Sequence, residues 1–360
     1  MRMKIFVTDC EGPISKNDNA FELSSWLIPE GDKFFRLISR YDDVLADIVK
    51  RPGYKAGDTL KLIVPFLKAY GATNEKMRFF SKETLLLVPG AAETLRYIRS
   101  IMPTFIVSTS YEPYIRALCE VMKFPEENVY CTKIDIDKYE LPEDEARRLR
   151  ELKEKIVKMP MIEIPEGAKS LEDLPLETQR TIKCLDEIFW NEISKMSIGR
   201  VLKEINPVGG YEKVRAIKEI ISIFDVKPYS VMYVGDSITD VEPFRFVRNG
   251  GGLTISFNGN QYAIREAEIA VLSHHTIILA ILADLFRRFG KNFVLKLAEN
   301  WDVSLLSDYC SKPLLKRLKK LYPEKLPWVE RITPKNMERL ARESTAFRKT
   351  VRGEAVGSLG

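Results

Sequence analysis

Val231-Met-Tyr-Val-Gly-Asp-Ser-Ile-Thr-Asp240 is a short β-rich apolar run that halts at Gly235-Asp236, with a second carboxylate four residues on. Two other runs halt in the same way. Lys4-Ile-Phe-Val-Thr8 ends at Asp9, before Gly12-Pro13 breaks regular structure, and Phe105-Ile-Val107 ends at Ser108. Helical periodicity separates them: residues 91–100 precede the second run, 114–123 follow it and 212–224 precede the third, with Leu95, Ile98 and Ile101, or Val214, Ile217, Ile220 and Ile221, on one face. A fourth run, Leu253-Thr-Ile-Ser-Phe257, follows the turn-forming Asn249-Gly-Gly-Gly252. This alternation predicts an α/β fold, a doubly wound parallel sheet covered on both faces and joined by right-handed crossovers. Ligands bind such sheets outside the carboxyl ends of the strands. Asp9, Ser108 and Asp236 are therefore expected to converge on one crevice.

Composition narrows the classes further. A chain of 360 residues with 45% apolar content can bury a substantial core, which excludes disorder as the dominant state. The 56 Lys+Arg against 51 Asp+Glu leave a net +5, too small a surplus to argue for nucleic acid. From Lys291 onward 15 basic residues face 8 acidic ones, so the tail carries +7 and the rest −2. Five cysteines (Cys10, Cys119, Cys131, Cys184 and Cys310) are odd in number and form no Cys-x-x-Cys pair. They suit neither a disulfide framework nor a zinc site, and a reducing cytoplasm is the expected compartment. Residues 1–9 lack the long apolar core of a signal peptide. Residues 269–282 include Ser273, His274, His275 and Thr276, fall short of a roughly 20-residue membrane span, and read as a buried strand and helix.

Residues from about 13 to 88 and from about 132 to 207 do not fit the alternation and read as helical insertions. The second contains the dense charge run 143–155, in which Glu151 with Lys155 and Glu154 with Lys158 have the spacing of a solvated helix. The basic tail, 291–360, carries Leu305, Leu306, Leu314, Leu315 and Leu318 between prolines, which predicts short helices; its cationic face suits solvent, an acidic protein partner or a membrane surface, and 355–360 are expected to fray.

On four stretches the chain resembles the haloacid dehalogenase-like phosphohydrolase superfamily: Asp9-Cys-Glu-Gly12, Ser108 after Phe105-Ile-Val, Lys213 in Gly209-Gly-Tyr-Glu-Lys, and Gly235-Asp-Ser-Ile-Thr-Asp240. The resemblance implies a Rossmannoid catalytic core from residues 1–12, 89–131 and 208–290, with 13–88 as a cap, 132–207 as a second helical insertion and 291–360 as a helical extension. It implies that Asp9 attacks phosphorus to form an aspartyl-phosphate, while Asp9, the main-chain oxygen of Glu11 and Asp236 hold Mg²⁺. Ser108 would donate to a phosphoryl oxygen, Lys213 would supply fixed positive charge, and Asp240 would orient Lys213 or a metal-bound water. Ser110 and Lys218 are the competing positions for the serine and lysine, and the N–H groups of Glu11 and Gly12 could bind phosphate. The family's phosphatases usually carry Asp two residues after the nucleophile. Here Glu11, one methylene longer, would do the acid–base work.

The implied activity is hydrolysis of a small cytoplasmic phosphometabolite. More loosely, Asp9-Cys-Glu-Gly-Pro-Ile14 and Ile255-Ser-Phe-Asn-Gly-Asn260 are similar to an archaeal branch identified as subunit R of an energy-converting hydrogenase. That resemblance implies the alternative of a catalytically weak subunit that binds phosphate or a protein partner.

Other candidates have ordinary explanations. The loop after Cys10 lacks the arginine of a cysteine-phosphatase loop, and adjacent His274 and His275 suit a helix terminus better than a metal pair. Gly250-Gly-Gly252 precedes a strand, whereas a dinucleotide fingerprint follows one. Trp26, Phe34, Phe35, Arg36 and Arg40 are the cap residues expected to face the crevice.

Overall fold

A computed structural model describes residues 3–165 and 167–359. Among the described residues, seven strands form one sheet: β1 (Ile5–Thr8), β2 (Thr104–Tyr111), β3 (Val129–Thr132), β4 (Val231–Gly235), β5 (Leu253–Phe257), β6 (Ile269–Leu272) and β7 (Trp328–Arg331). Their order is β3-β2-β1-β4-β5-β6-β7. All neighbours are parallel except β6 and β7, where Ile269 faces Arg331 and Leu272 faces Trp328 in antiparallel register.

The central strands are continuous apolar runs because both of their faces are covered. Side chains alternate between layers. Phe6, Met232 and Val234 pack with the helices Ala91–Ile101 and Ile277–Phe289 on one face, while Ile5, Val7, Val231 and Tyr233 pack with Tyr211–Ile223 and Val241–Asn249 on the other. Strands β2 and β3 build outward from one side of β1, and β4, β5 and β6 from the other. The winding direction thus switches between β1 and β4, which opens a crevice at their carboxyl ends.

The sheet departs from the sequence-based expectation in three places. Strand β2 runs through Ser108 to Tyr111 because a register shift between Val107 and Tyr111 lets the chain keep pairing with β3 after it leaves β1. Strand β3 was not anticipated. The tail is not wholly helical either, since Trp328–Arg331 adds an antiparallel edge strand to β6.

Both insertions contribute to a single apolar core. Phe34 and Phe66 from the first pack with Leu149, Leu185 and Phe189 from the second. Tyr41 Oη donates to Asp186 Oδ1 at 2.5 Å, and an Arg51 guanidinium nitrogen donates to the same oxygen at 2.7 Å. The helix Glu143–Val157 buries Ala146, Leu149, Leu152 and Ile156. Its ion pairs differ from the expected i,i+4 set. Arg148 pairs with Glu151 at 2.9 Å and with Glu192 at 2.5 Å, and Lys153 turns inward beside Glu154, its ammonium donating to Pro29 O at 3.1 Å.

The end of the chain is held down instead of frayed. The helix Met337–Arg352 packs Leu340 against Ile264, Ala270 and Leu272, and beyond it Val356 and Leu359 are buried in the apolar core shared by the two insertions. Gly360 lies outside the described residues. Among the described residues, no helix is long and apolar enough to cross a membrane.

Candidate active site

Strand β1 delivers Asp9. Its N–H donates to Val234 O at 2.8 Å, which extends the ladder one residue past the strand and fixes the side chain at the switch point. Asp9 Oδ1 accepts from Cys10 N at 2.7 Å and Oδ2 accepts from Lys213 Nζ at 2.6 Å. Lys213, in the first turn of Tyr211–Ile223, also donates to Asp240 Oδ1 at 2.7 Å. Lys218 points elsewhere, its ammonium lying 5.5 Å from the centre of the Phe246 ring.

Asp240 has no spare lone pair to offer. Oδ1 also accepts from Tyr233 Oη at 2.6 Å, and Oδ2 accepts from the N–H groups of Asp236 and Ser237 at 2.8 and 3.0 Å. Such a carboxylate positions its neighbours. Two glycines are required by close approach: a Cβ on Gly235 would sit 2.4 Å from Asp240 Cγ, and one on Gly12, whose φ is +105°, would sit 2.1 Å from Asp236 Oδ2.

Oxygens of Asp9, Asp236 and Asp240 lie within 4.8 Å of one another, and all three residues are buried. A cavity of about 100 Å³ adjoins them, walled by Asp9, Glu11, Asp18, Phe35, Ser110 and Asp236 among others. Glu11 Oε1 accepts from Asn19 N at 2.7 Å, and Asp18 caps the helix Asn19–Leu27 that begins there, accepting from Phe21 N at 3.0 Å. Ser108 is buried and its hydroxyl oxygen accepts from Ser110 N at 3.1 Å; the Ser110 hydroxyl is buried without a partner at the cavity wall.

The N–H of Gly12 is taken up by Ser15 O at 2.8 Å, because the loop closes a turn on itself, and so is not available for phosphate as expected. Of the cap residues expected at the crevice, Phe35 lines the cavity. Phe34 faces inward against Phe66, Trp26 stacks on Phe80, Arg36 lies over Phe21 and Arg40 pairs with Asp43 at 3.5 Å. These residues occupy different sides of two helices, so Phe35 alone of the five reaches the cavity.

Sequence reasoning missed Arg348 and Arg352. Both reach Asp236 Oδ2 from the tail helix, Arg352 at 3.2 Å and Arg348 in closer contact. Their i,i+4 spacing was visible, but a solvated basic face has the same spacing. Cys10 is a buried core neighbour whose thiol is pushed up by burial, and His275 Nδ1 accepts from Ile277 N at 3.0 Å at a helix start.

The electrostatics are those of crowded acids. Burial, followed by the Asp240 and Asp236 charges, pushes Asp9 up to about 7 against the pull of Lys213. Burial and then Asp18 push Glu11 well above the usual carboxylate range. For Lys213 burial acts downward, but the Asp240 and Asp9 carboxylates outweigh it and hold the ammonium above its ordinary value. Asp9, Glu11, Asp18, Asp236 and Asp240 face three cationic side chains, Lys213, Arg348 and Arg352. The ligand atoms on offer are all hard oxygens, and five carboxyl groups outnumber the three cations. The residues fit a hard divalent cation such as Mg²⁺, with Asp9 and Asp236 as its carboxylates.

No protein-family model matches the chain, and no curated protein does. Among solved structures, the gene product AF1437 from Archaeoglobus fulgidus is similar over 100% of this chain and 99% of its own, with 26% identity and a TM-score of 0.80. A phosphoserine phosphatase in its apo form is similar over 77% of this chain and 98% of its own, with 13% identity and a TM-score of 0.45. A phospho-aspartyl intermediate analogue of phosphoserine phosphatase is similar over 75% and 93%, with 13% identity and a TM-score of 0.44. The chain thus shares with AF1437 an α/β fold, here a mostly parallel sheet that switches direction between two strands each followed by an aspartate.

Proposed function

We propose that the protein is a Mg²⁺-dependent phosphohydrolase acting on a small phosphorylated metabolite through an aspartyl-phosphate on Asp9. The observation that carries this reading is the pairing of Asp9 with Lys213 at 2.6 Å, beside Asp236 and at the switch point of the sheet. A phosphate monoester is anionic, so a carboxylate can approach it only where positive charge is fixed in advance. Lys213 supplies part of that charge and Asp240 fixes its direction. A divalent cation held by Asp9, Asp236 and the main-chain oxygen of Glu11 would neutralise phosphoryl oxygens.

In this reading one Asp9 oxygen bonds to phosphorus as the bond to the leaving oxygen breaks, and Glu11 gives that oxygen its proton. Water then attacks the aspartyl-phosphate and returns a proton to Glu11, releasing phosphate and restoring Asp9. The hydroxyl of Ser108, or of Ser110 at the cavity wall, would donate to a phosphoryl oxygen. Residues 1–12, 89–131 and 208–290 serve as catalytic core, and 13–88 with 132–207 serve as the cap that excludes water.

Hydrolysis of an aryl phosphate by the purified chain, with and without Mg²⁺ and beside Asp9→Asn, tests the reading. Metal-dependent turnover lost in the variant supports it. A second reading, a weak or inactive subunit that binds phosphate or a protein partner, is favoured by Arg348 and Arg352 lying on Asp236. Absence of turnover across a broad phosphoester panel selects that reading.

A further inference from the structure

The tail helix carries two buried arginines into the crevice, and the phosphohydrolase reading uses neither. Arg348 and Arg352 stand one helical turn apart, and each side chain is 3% exposed. Arg348 donates to Asp236 Oδ2 and, at 3.3 Å, to Asp236 O, while its Nε is buried without a partner. Arg352 donates to the same Oδ2, to Lys16 O at 3.0 Å and to Asn17 O, and so also holds the loop that follows Asp9.

The same segment is fastened at both ends. Leu340 lies against Ala270 and Leu272 of the sheet, and Ser344 Oγ donates to Gly259 O at 2.6 Å. Past Arg352 the chain doubles back and buries Val356 and Leu359 in the apolar core of the cap. Between these fastenings the two guanidinium groups sit on the carboxylate that Asp9 would share with a cation.

Guanidinium and a hard cation compete for the same lone pairs, and Mg²⁺ tolerates little departure from octahedral oxygen coordination. A divalent ion between Asp9 and Asp236 would face two fixed positive charges in a buried site, where screening is weak. Space points the same way. The crevice cavity is about 100 Å³, well under the usual roughly 300–1,000 Å³ of a ligand pocket. Leu359 forms part of its wall and also of the wall of a neighbouring cleft of about 820 Å³. Withdrawal of the tail would join the two.

We propose that the tail is an intramolecular occupant of the crevice: Arg348 and Arg352 neutralise Asp236 in the closed protein, and loading of a divalent cation is linked to release of residues 344–359. This rests on the cation site of the reading above but not on hydrolysis itself. Linkage makes the effect reciprocal, since the factor by which the arginines weaken cation binding is the factor by which the cation unseats the tail.

The test is Mn²⁺ binding by electron paramagnetic resonance on the full chain and on an Arg348→Gln/Arg352→Gln variant, with amide exchange of 344–359 in the unaltered protein. We expect the variant to bind Mn²⁺ at least tenfold more tightly, and saturating Mn²⁺ to speed exchange across 344–359 in the unaltered chain. Equal affinities, or exchange that Mn²⁺ leaves unchanged, overturn the linkage while leaving the hydrolase reading in place. If neither protein binds Mn²⁺, the cation site and the linkage fall together. Should the variant not fold, the exchange measurement decides alone.

Discussion

Lys213 Nζ stands 2.6 Å from Asp9 Oδ2 across 204 residues of chain, and the lysine side chain is fully buried. A buried ammonium is tolerated only where carboxylates surround it, and here Asp240 is the second. The pair links the proposed nucleophile to the helix Tyr211–Ile223, so the chemistry and the stability of the site share one contact.

Replacing Lys213 therefore harms both. Lys213→Met should destabilise the protein by about 3–5 kcal/mol, because it leaves Asp9 and Asp240 buried without their cation. It should also lower aryl-phosphate turnover by at least about 10²-fold. Urea unfolding and steady-state rates check this; wild-type stability in the variant would show that the carboxylates find other partners.

Gly12→Ala tests the close approach to Asp236. A non-glycine residue at φ +105° is strained by roughly 1–3 kcal/mol, and the new methyl would meet Asp236 Oδ2 at 2.1 Å. The expected result is a lower urea midpoint together with weakened Mn²⁺ binding. Unchanged metal affinity would mean that the loop yields without moving the carboxylate.

Asp43 supplies a pH signature. Burial, offset in part by Arg40, pushes its carboxyl up to about 7 from an ordinary 3.8. The folded state then holds the proton more tightly than the unfolded chain. This contribution to stability is complete below the unfolded value and is lost as pH rises through about 7. In EDTA, Asp43→Asn should match the wild type near pH 4 and exceed it at pH 8 by roughly 1–2 kcal/mol, after discounting the full shift for relaxation and Arg40. Parallel stability profiles for the two proteins would reject the assignment.

The apolar core shared by the two insertions makes a prediction about distant helices. Leu149→Ala, in the second insertion, should cost about 2–5 kcal/mol locally. It should speed amide exchange in Gly31–Asp43 and Thr59–Ala69 of the first insertion, with β1 and β4 still protected. Exchange confined to Glu143–Val157 would mean that the insertions fold separately.

Much of the core was legible because central parallel strands must be continuous apolar runs, and the polar residue that ends each one must lie at the sheet's carboxyl edge. Asp9 and Asp236 could be found that way. Strand β7 could not, since Trp328-Val-Glu-Arg331 is an edge strand with one wet face and a mixed composition. Ser108 was legible as a strand-end residue, but the register shift that carries β2 on to Tyr111 depends on where β3 docks.

The central strands β1, β4 and β5 with their flanking helices, and the acids that follow β1 and β4, were settled by local pattern alone, because burial on two faces leaves an unambiguous mark on neighbouring residues. The single apolar core of the two insertions and the inward turn of Arg348 and Arg352 were decided only in three dimensions. Two arginines one helical turn apart have the same sequence whether they meet water or a buried carboxylate. Their environment is set by Asp236, which lies 112 residues from Arg348.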